Sequence, residues 1–161
     1  MMFIIMQPAY YHGTDAWLGL FAIKHGEIRA AKTYSLAVPI HSDFYLALPL
    51  AFKNLSAHAE MVRELSDGGL ILEFELSPDD ERRVQRREHG TLWVPEKVSL
   101  QQLKVVHFTP RTRGLDRLII NELDNKQSAA RLHFMSEPTF IPNYGIKAYH
   151  PGIWMPATQK K

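Results

Sequence analysis

The sequence predicts a single α+β domain built from short strands and short helices. Its 161 residues are 45% hydrophobic and 22% charged, which supplies enough apolar material for one core. An apolar strand-like segment passes directly into a helical segment at residues 10–24, and the same order recurs at residues 44–62. Three further β-type segments lie between residues 70 and 108. Strands and helices are therefore interspersed along one compact chain.

Composition excludes several classes of protein. The chain has no cysteine, so disulfide frameworks, thiolate nucleophiles and cysteine-bound zinc are excluded, and a reducing compartment such as the cytoplasm is favoured. Its histidines show no spacing typical of zinc ligands, and no metal site is predicted. The apolar start at residues 1–6 lacks a basic flank and is interpreted as a lead-in or first strand. No apolar run is long enough for a membrane helix, so no membrane partner is expected.

The first element is a strand over residues 10–14 that turns at once into a helix. Apolar residues at helical spacing predict this helix from Asp15 to Lys24, with Thr14 or Asp15 as the N-cap. Gly26 is expected to end it. Residues 27–42 alternate only weakly, and we expect a loop with a short strand at most.

The second strand-and-helix pair is predicted from residue 44 onward. Phe44 to Leu48 read as a strand, and Pro49 is placed in the first turn of a helix that continues through Val62. A glycine turn then leads into Leu70 to Leu76, which is predicted to be a central strand.

The remaining elements follow from caps and alternation. Ser77 and Pro78 predict a helix start, with the charged run 81–88 as the helix body. Residues 91–94 are predicted to form a short strand, and residues 98–108 a turn that feeds the final strand of the core. We place the core domain at residues 1–110. Residues 111–161 are expected to add a helix at 115–123 and an irregular, aromatic and proline-rich extension packed on the same domain.

Five sequence blocks, taken in order, resemble the ADP-ribosyltransferase fold. The likeness is closest to the branch of poly(ADP-ribose) polymerases and diphtheria toxin, with its small bacterial toxin-like and DNA-modifying members, and it covers residues 9–108. It implies a split β-sheet core with short helices and NAD as the substrate. The blocks are Tyr11-His12-Gly13-Thr14, the helix to Gly26, Tyr45-Leu46-Ala47, Gly68-Gly69-Leu70-Ile71-Leu72-Glu73-Phe74, and Trp93-Val94-Pro95-Glu96-Lys97-Val98-Ser99-Leu100.

The resemblance assigns the NAD-binding roles to specific residues. His12 would donate a hydrogen bond to a ribose hydroxyl, and the backbone of Gly13 would hold the nicotinamide carboxamide, because glycine permits close approach. Tyr45 would stack on the nicotinamide ring. Tyr11 and Thr14 flank the pair and complete the expected binding set.

The chain departs from the family at the catalytic glutamate. Breaking the bond between ribose and nicotinamide needs a carboxylate near the ribose 2′-hydroxyl, and the matching position here is Thr91. Glu88, three residues earlier, is the first candidate for this carboxylate, and Glu96 ranks below it. The second tyrosine of the family's set is also absent, since Ser56 and His58 stand in that region.

Three functions remain open from the sequence. The first is a mono-ADP-ribosyltransferase of toxin or effector type, with Glu88 and His12 as catalytic residues and a protein or nucleic-acid acceptor. The second is a catalytically degenerate module that binds NAD or ADP-ribose. The third is a nucleic-acid-binding protein that uses an arginine face on one helix, although nearby carboxylates can neutralise that face. This face would comprise Arg82, Arg83, Arg86 and Arg87. Further basic residues elsewhere in the chain add to the possibility of nucleic-acid contact, namely Arg111, Arg113, Arg117, Lys160 and Lys161.

Overall fold

The computed structural model describes residues 8–30, 36–51, 68–86, 91–109, 114–135, 138–141, 146–149 and 153–156. These residues form a mixed α+β structure, as predicted. The helices are α1 (Ala16–His25), α2 (Phe44–Ala51), α3 (Pro78–Arg83) and α4 (Leu115–Asn125). The strands are β1 (Tyr10–Asp15), β2 (Glu27–Arg29), β3 (Ala37–Ile40), β4 (Gly69–Phe74), β5 (Gln85–Arg86), β6 (Leu92–Pro95), β7 (Lys97–Ser99), β8 (Leu103–Phe108), β9 (Arg131–Phe134), β10 (Pro138–Ile141), β11 (Ile146–Tyr149) and β12 (Ile153–Pro156).

A five-stranded sheet in the order β1-β4-β8-β9-β12 organises the fold. β8 and β9 are parallel, and the other neighbouring pairs are antiparallel. Three smaller antiparallel sheets consist of β3-β6-β5, β2-β7 and β10-β11. An isolated bridge between Tyr11 and His41 connects β1 to the end of β3. The five-stranded and three-stranded sheets therefore meet at this one bridge among the described residues.

The two faces of the five-stranded sheet are covered by different helices. On one face, α1 and α4 contribute Ala16, Ile23, Ile119 and Leu123 to the main core, together with Leu72 of β4. On the other face, α2 packs over β1 and β4. Ala47, Leu48, Ala51, Ile71 and Met135 form a smaller buried cluster there. Because side chains alternate along a strand, successive residues of β1 face these two different environments.

Both predicted ends of α1 and the predicted start of α3 are confirmed, whereas α3 ends at Arg83 and not at residue 88. The Asp15 carboxylate accepts a hydrogen bond from the backbone N–H of Leu18 at 2.8 Å, and Gly26 ends α1 in the left-handed conformation at φ 74°. The Ser77 hydroxyl accepts a hydrogen bond from the N–H of Asp80, with Pro78 as the first residue of α3. The strand predicted at residues 70–76 is observed as β4, which is paired on both sides.

The strand predicted at residues 44–48 is wrong, because these residues begin α2. Periodicity could not separate the two structures, since an unbroken apolar run suits a buried helix as well as a buried strand. The Asp43 carboxylate accepts the N–H of Tyr45 at 2.8 Å and favours a helix start. Pro49 lies within α2 and not in the first turn of a later helix. Residues 52–62 of the predicted helix lie outside the described residues.

The C-terminal region is more regular than predicted. β8 does not complete the core, because β9 pairs with it in parallel and β12 pairs with β9. The expected irregular extension contains the β10-β11 hairpin as well. Prolines at positions 138 and 156 lie at strand ends, where a missing N–H interrupts little of the ladder. The predicted helix at 115–123 is observed as α4, which ends two residues later.

The four arginine residues predicted on one helix face do not all lie on one helix, since only Arg82 and Arg83 belong to α3. α3 ends at Arg83, and Arg86 lies in β5. Arg87 lies outside the described residues. None of the helices in the described part of the chain is long and apolar enough to cross a membrane.

Candidate functional site

A cleft of about 620 Å³ opens where β1, α1, β2 and β3 meet. His12, Gly13 and Thr14 lie along one side of it. The lining residues beyond this triplet include Leu18, Phe21, Ala22 and His25 of α1, Glu27, Ile28 and Arg29 of β2, and Ala37, Val38 and Pro39 of β3. The motif and the helix that follows it therefore form a single concave surface.

The His12 imidazole is held in one tautomer by β3. Its Nδ1 lies 2.8 Å from the carbonyl oxygen of Pro39, and because a carbonyl only accepts, Nδ1 carries the proton and donates. Burial lowers the pKa of His12 to about 4, although the Pro39 hydrogen bond acts in the opposite direction and His41 lowers the pKa further. His12 is therefore neutral at pH 7, with Nε2 as an acceptor. In this tautomer Nε2 can accept a hydrogen bond but cannot donate the one that was expected of His12.

Gly13 has no room for a side chain. A Cβ built on Gly13 would overlap the carbonyl oxygen of Ala47 and would stand 3.0 Å from the nitrogen of Ala51. The backbone of α2 therefore lies directly against β1 at this residue. Glycine is required here by helix packing, independently of any ligand.

The backbone of Gly13 also presents an open hydrogen-bonding edge. Tyr11 exchanges two backbone hydrogen bonds with His41, at 2.8 and 2.9 Å, on the side of β1 away from β4. In an antiparallel strand, residues two apart direct their N–H and C=O groups to the same side. Gly13 therefore directs its N–H and C=O away from β4, and it makes no hydrogen bond there to any described residue.

The other predicted binding residues are distributed between the cleft and its surroundings. Thr14 is buried and lines the cleft. Tyr11 faces the opposite side of β1, where its ring contacts Phe44 at a centroid distance of 5.9 Å. Burial raises the pKa of Tyr11, and the carboxylates of Glu73 and Asp43 raise it further. Tyr45 is 63% exposed on α2 and is not among the residues that line the cleft with His12.

Thr91, where the resemblance would place a glutamate, directly precedes β6. β3 pairs with β6 through Ile40 and Leu92, and this register, continued by one residue, sets Thr91 opposite His41. His41 in turn pairs with Tyr11. Glu88, the first candidate for the catalytic carboxylate, lies outside the described residues.

Glu96 has a structural role in the turn between β6 and β7. Its backbone adopts the left-handed conformation at φ 68°, and its side chain is exposed. The backbone N–H of Glu96 donates to Leu36, and its carbonyl accepts from Ala30. Glu96 therefore ties together the ends of β2 and β3 and does not contribute a carboxylate to the described cleft.

His41 is a feature that the sequence analysis did not identify. It is 8% exposed, burial lowers its pKa, and its buried Nε2 has no hydrogen-bond partner among the described residues. Its proximity to β1 arises from pairing across 30 positions of sequence. A local pattern carries no signal for such a contact.

The cleft also has an aromatic wall on α1. The rings of Phe21 and His25 are stacked, with centroids 6.3 Å apart and planes inclined by 11°. Phe21 is 52% exposed and Leu18 59% exposed, so part of the apolar face of α1 is directed to the cleft and not to the core. The i, i+4 spacing of Phe21 and His25 was a usable signal for this pair.

Arg83 is occupied by internal contacts and not available to a nucleic acid. Its guanidinium donates to the Asp80 carboxylate at 2.5 Å and to the carbonyl oxygens of Pro95 and Lys97. Asp80 is buried and also accepts the N–H of Ser99 at 2.8 Å. Arg82 is ion-paired with Asp79. Two of the four arginines proposed for a binding face therefore have carboxylate partners on α3 itself.

Within the described ranges no three histidine or acidic side chains converge as metal ligands. Comparison of the chain with protein-family models, curated proteins and solved structures gave no match. The functional interpretation therefore depends on the residues of the cleft.

Proposed function

We propose that the protein is an NAD-dependent mono-ADP-ribosyltransferase of toxin or effector type. It would break the bond between nicotinamide and ribose and transfer ADP-ribose to a protein or nucleic-acid acceptor. The single observation that carries this proposal is the open backbone edge of Gly13 beside a neutral His12 imidazole in one cleft.

The Gly13 edge matches the hydrogen-bonding groups of nicotinamide. A carboxamide has one carbonyl oxygen, which accepts, and one NH₂ group, which donates. The N–H of Gly13 can donate to the first, and its C=O can accept from the second. A backbone pair of this kind recognises the amide without adding charge. Glycine also lets the flat ring approach the strand closely.

His12 matches the ribose beside nicotinamide. Because Nδ1 is committed to Pro39, Nε2 is an acceptor that a ribose hydroxyl can reach from the cleft. A neutral imidazole orients the hydroxyl without placing a positive charge beside the cationic nicotinamide ring. Positive charge also develops on the ribose as the bond breaks, so a neutral histidine is better suited than a protonated one.

The shape of the cleft suits a dinucleotide. Its volume falls within the roughly 300–1,000 Å³ of typical small-molecule sites. One wall is apolar and aromatic, formed by Leu18, Phe21 and Ile28, and the β2 side carries Arg29 and Glu27, whose side chains are ion-paired at 3.8 Å. The meeting of two sheets at the Tyr11–His41 bridge also agrees with the split-sheet core that the family resemblance implies.

The proposal assigns the catalytic carboxylate to Glu88. The transition state resembles an oxocarbenium ion, and a carboxylate stabilises its charge and orients the 2′-hydroxyl. Glu88 precedes Thr91 by three residues, and Thr91 comes opposite His41 in the continued register.

Calorimetry of NAD binding, together with measurement of nicotinamide release, tests the proposal. The wild type should bind NAD and release nicotinamide. His12→Ala should weaken NAD binding at least tenfold, as the loss of one hydrogen bond in a largely desolvated site predicts. Arg117→Gln, on the exposed side of α4, is the matched control and should behave as wild type. Absence of NAD binding by the wild type would contradict the proposal.

A second candidate function is a module that binds NAD without transferring ADP-ribose. The residue Thr91 at the family's glutamate position favours it. Glu88→Gln separates the two candidates. In a transferase this change should reduce nicotinamide release by at least a hundredfold while NAD binding is retained, as for loss of a major electrostatic group. Binding without release by the wild type itself would favour the module.

A further inference from the structure

A buried polar cluster lies on the sheet face opposite the His12 side chain. It consists of Glu73 on β4, His107 on β8 and His133 on β9, and we call it the histidine cluster. His107 Nε2 lies 2.9 Å from Glu73 Oε1, and His107 Nδ1 lies 2.7 Å from His133 Nδ1. Both histidines are almost fully buried. The proposed binding of NAD does not use these residues.

The contacts fix the tautomer of both histidines. An ionised carboxylate only accepts hydrogen bonds, so Nε2 of His107 carries a proton and donates to Glu73. Neutral His107 then has a lone pair at Nδ1, which accepts from Nδ1–H of His133. Two protonated Nδ1 atoms cannot face each other at this distance. The observed geometry therefore requires that at least one of the two histidines is neutral.

The histidine cluster contacts the first residue of α2. The centroids of the Phe44 and His107 rings are 4.8 Å apart. Phe44 also contacts Tyr11 on β1, and three residues further along α2 the carbonyl of Ala47 lies against Gly13. The N-terminal end of α2 is therefore packed on the cluster, and the middle of α2 on the candidate site.

We propose that the histidine cluster makes the packing of α2 on the sheet pH-sensitive, so that acidification releases the N-terminal end of this helix. Protonation places positive charge in a buried position next to a helix N-terminus, where the helix dipole disfavours it. When the end of α2 separates from the sheet, water reaches the imidazoles and they accept protons freely. Proton uptake therefore favours the open arrangement.

Among the residues that the structure describes, the charges around the cluster do not cancel this effect. Glu73 is its acidic partner, Arg131 of β9 opposes protonation of His107, and Tyr11 of β1 is the nearest ionisable group on that strand. Asp43 precedes α2 and Tyr45 is exposed on it, and the sequence of β12 contains no ionisable residue. Burial is the largest effect on both histidines and lowers both pKa values, that of His133 to about 4.

The size of the effect follows from proton linkage. If His133 has a pKa of about 4 in the packed state and its ordinary value of 6.5 when hydrated, opening becomes roughly 30-fold more favourable between pH 8 and pH 5. Because the pKa of His133 is lower in the packed state than in the open state, the packed state is most stable above pH 6.5 and loses stability as the pH falls toward 4. His107, shifted in the same direction, adds to the effect.

Hydrogen exchange of residues 43–51 at pH 8 and pH 5, corrected for intrinsic exchange rates, tests this inference without NAD. Local opening in the wild type should increase by roughly 30-fold on acidification. Amides of α4 serve as the internal reference and should change much less. In His133→Asn, where the amide can still donate to His107 but does not titrate, the increase should be clearly smaller than in the wild type, because only the contribution of His107 remains. Equal pH dependence in the wild type and this variant would overturn the inference.

A second measurement does not depend on any variant folding correctly. Nitrogen NMR of the wild type at pH 7 should show His107 protonated at Nε2 and His133 protonated at Nδ1. The opposite assignment at either residue would overturn the inference. Because neither experiment uses NAD, a failure of the proposed transferase activity leaves both results interpretable.

Discussion

The carbonyl oxygen of Ala47 occupies the space that a side chain on Gly13 would need. This contact brings the backbone of α2 directly against β1, on the strand that also carries the open hydrogen-bonding edge of the candidate site. Gly13 therefore has two roles: it lets α2 pack on β1, and in the proposed site its backbone binds the nicotinamide carboxamide.

Gly13→Ala should destabilise the protein by about 2–4 kcal/mol, because a fixed helix backbone must move to admit one methyl group. Urea denaturation at pH 7 measures this change. Gly114→Ala is the matched control, since a Cβ at Gly114 meets no atom within 4 Å and only its positive φ of 85° opposes the change. The control should lose about 1 kcal/mol. Similar losses in the two variants would contradict the packing explanation.

Stability should fall as the pH is lowered from 7 to 4, in part because of His12. Its pKa is about 4 in the folded state against 6.5 when unfolded, so the unfolded chain binds more protons between these values. His12 alone should account for about 2–3 kcal/mol of the loss. His12→Asn keeps a donor for Pro39 without a titrating group, and its free energy of unfolding should depend less on pH. Unchanged pH dependence would place the His12 pKa near its ordinary value.

Glu96→Gly should stabilise the protein by about 0.5–1 kcal/mol. The residue has φ 68°, which costs an L-amino acid more than glycine, and its exposed side chain contributes little packing. The backbone hydrogen bonds to Ala30 and Leu36 remain possible in the variant. Thermal denaturation measures the gain, with Arg117→Gly as the contrasting control, which should lose about 1 kcal/mol within α4. A loss of stability in Glu96→Gly would show that its side chain matters.

Arg83→Ala should cost about 3–5 kcal/mol, because it leaves the buried Asp80 carboxylate without its cation and two carbonyl groups without a donor. Arg82→Ala, whose ion pair with Asp79 is exposed, should change stability by less than about 1 kcal/mol. Chemical denaturation of both variants compares the two. Equal losses of stability in the two variants would contradict the conclusion that the Arg83 contacts hold α3 against the turn between β6 and β7.

The sequence predicted those elements that carry local signals. The Asp15 and Gly26 caps defined α1, and the turn before residue 70 together with dense apolar residues defined β4. Where local signals were ambiguous, prediction failed. Residues 44–51 are apolar throughout, so only their packing on Gly13 and the Asp43 contact explain why they form a helix.

The candidate site was predictable only in part, for the same reason. The triplet His12-Gly13-Thr14 is contiguous in sequence and lies together in the cleft. The carbonyl of Pro39 on β3 sets the His12 tautomer, and the backbone of His41, directly after β3, pairs with Tyr11 and not with Gly13. Both Pro39 and His41 are far from β1 in the sequence. Tyr11 and His12 are neighbours in the sequence, but their side chains lie on opposite faces of the sheet because side chains alternate along β1.

The most direct test of the proposed site is an NMR titration of the Gly13 backbone amide with NAD. If the Gly13 N–H donates to the nicotinamide carboxamide, its resonance should shift downfield and saturate together with NAD binding, while amides of α4 remain unchanged. NAD binding that leaves the Gly13 amide unshifted, or no NAD binding at millimolar concentration, would contradict the proposed recognition of nicotinamide.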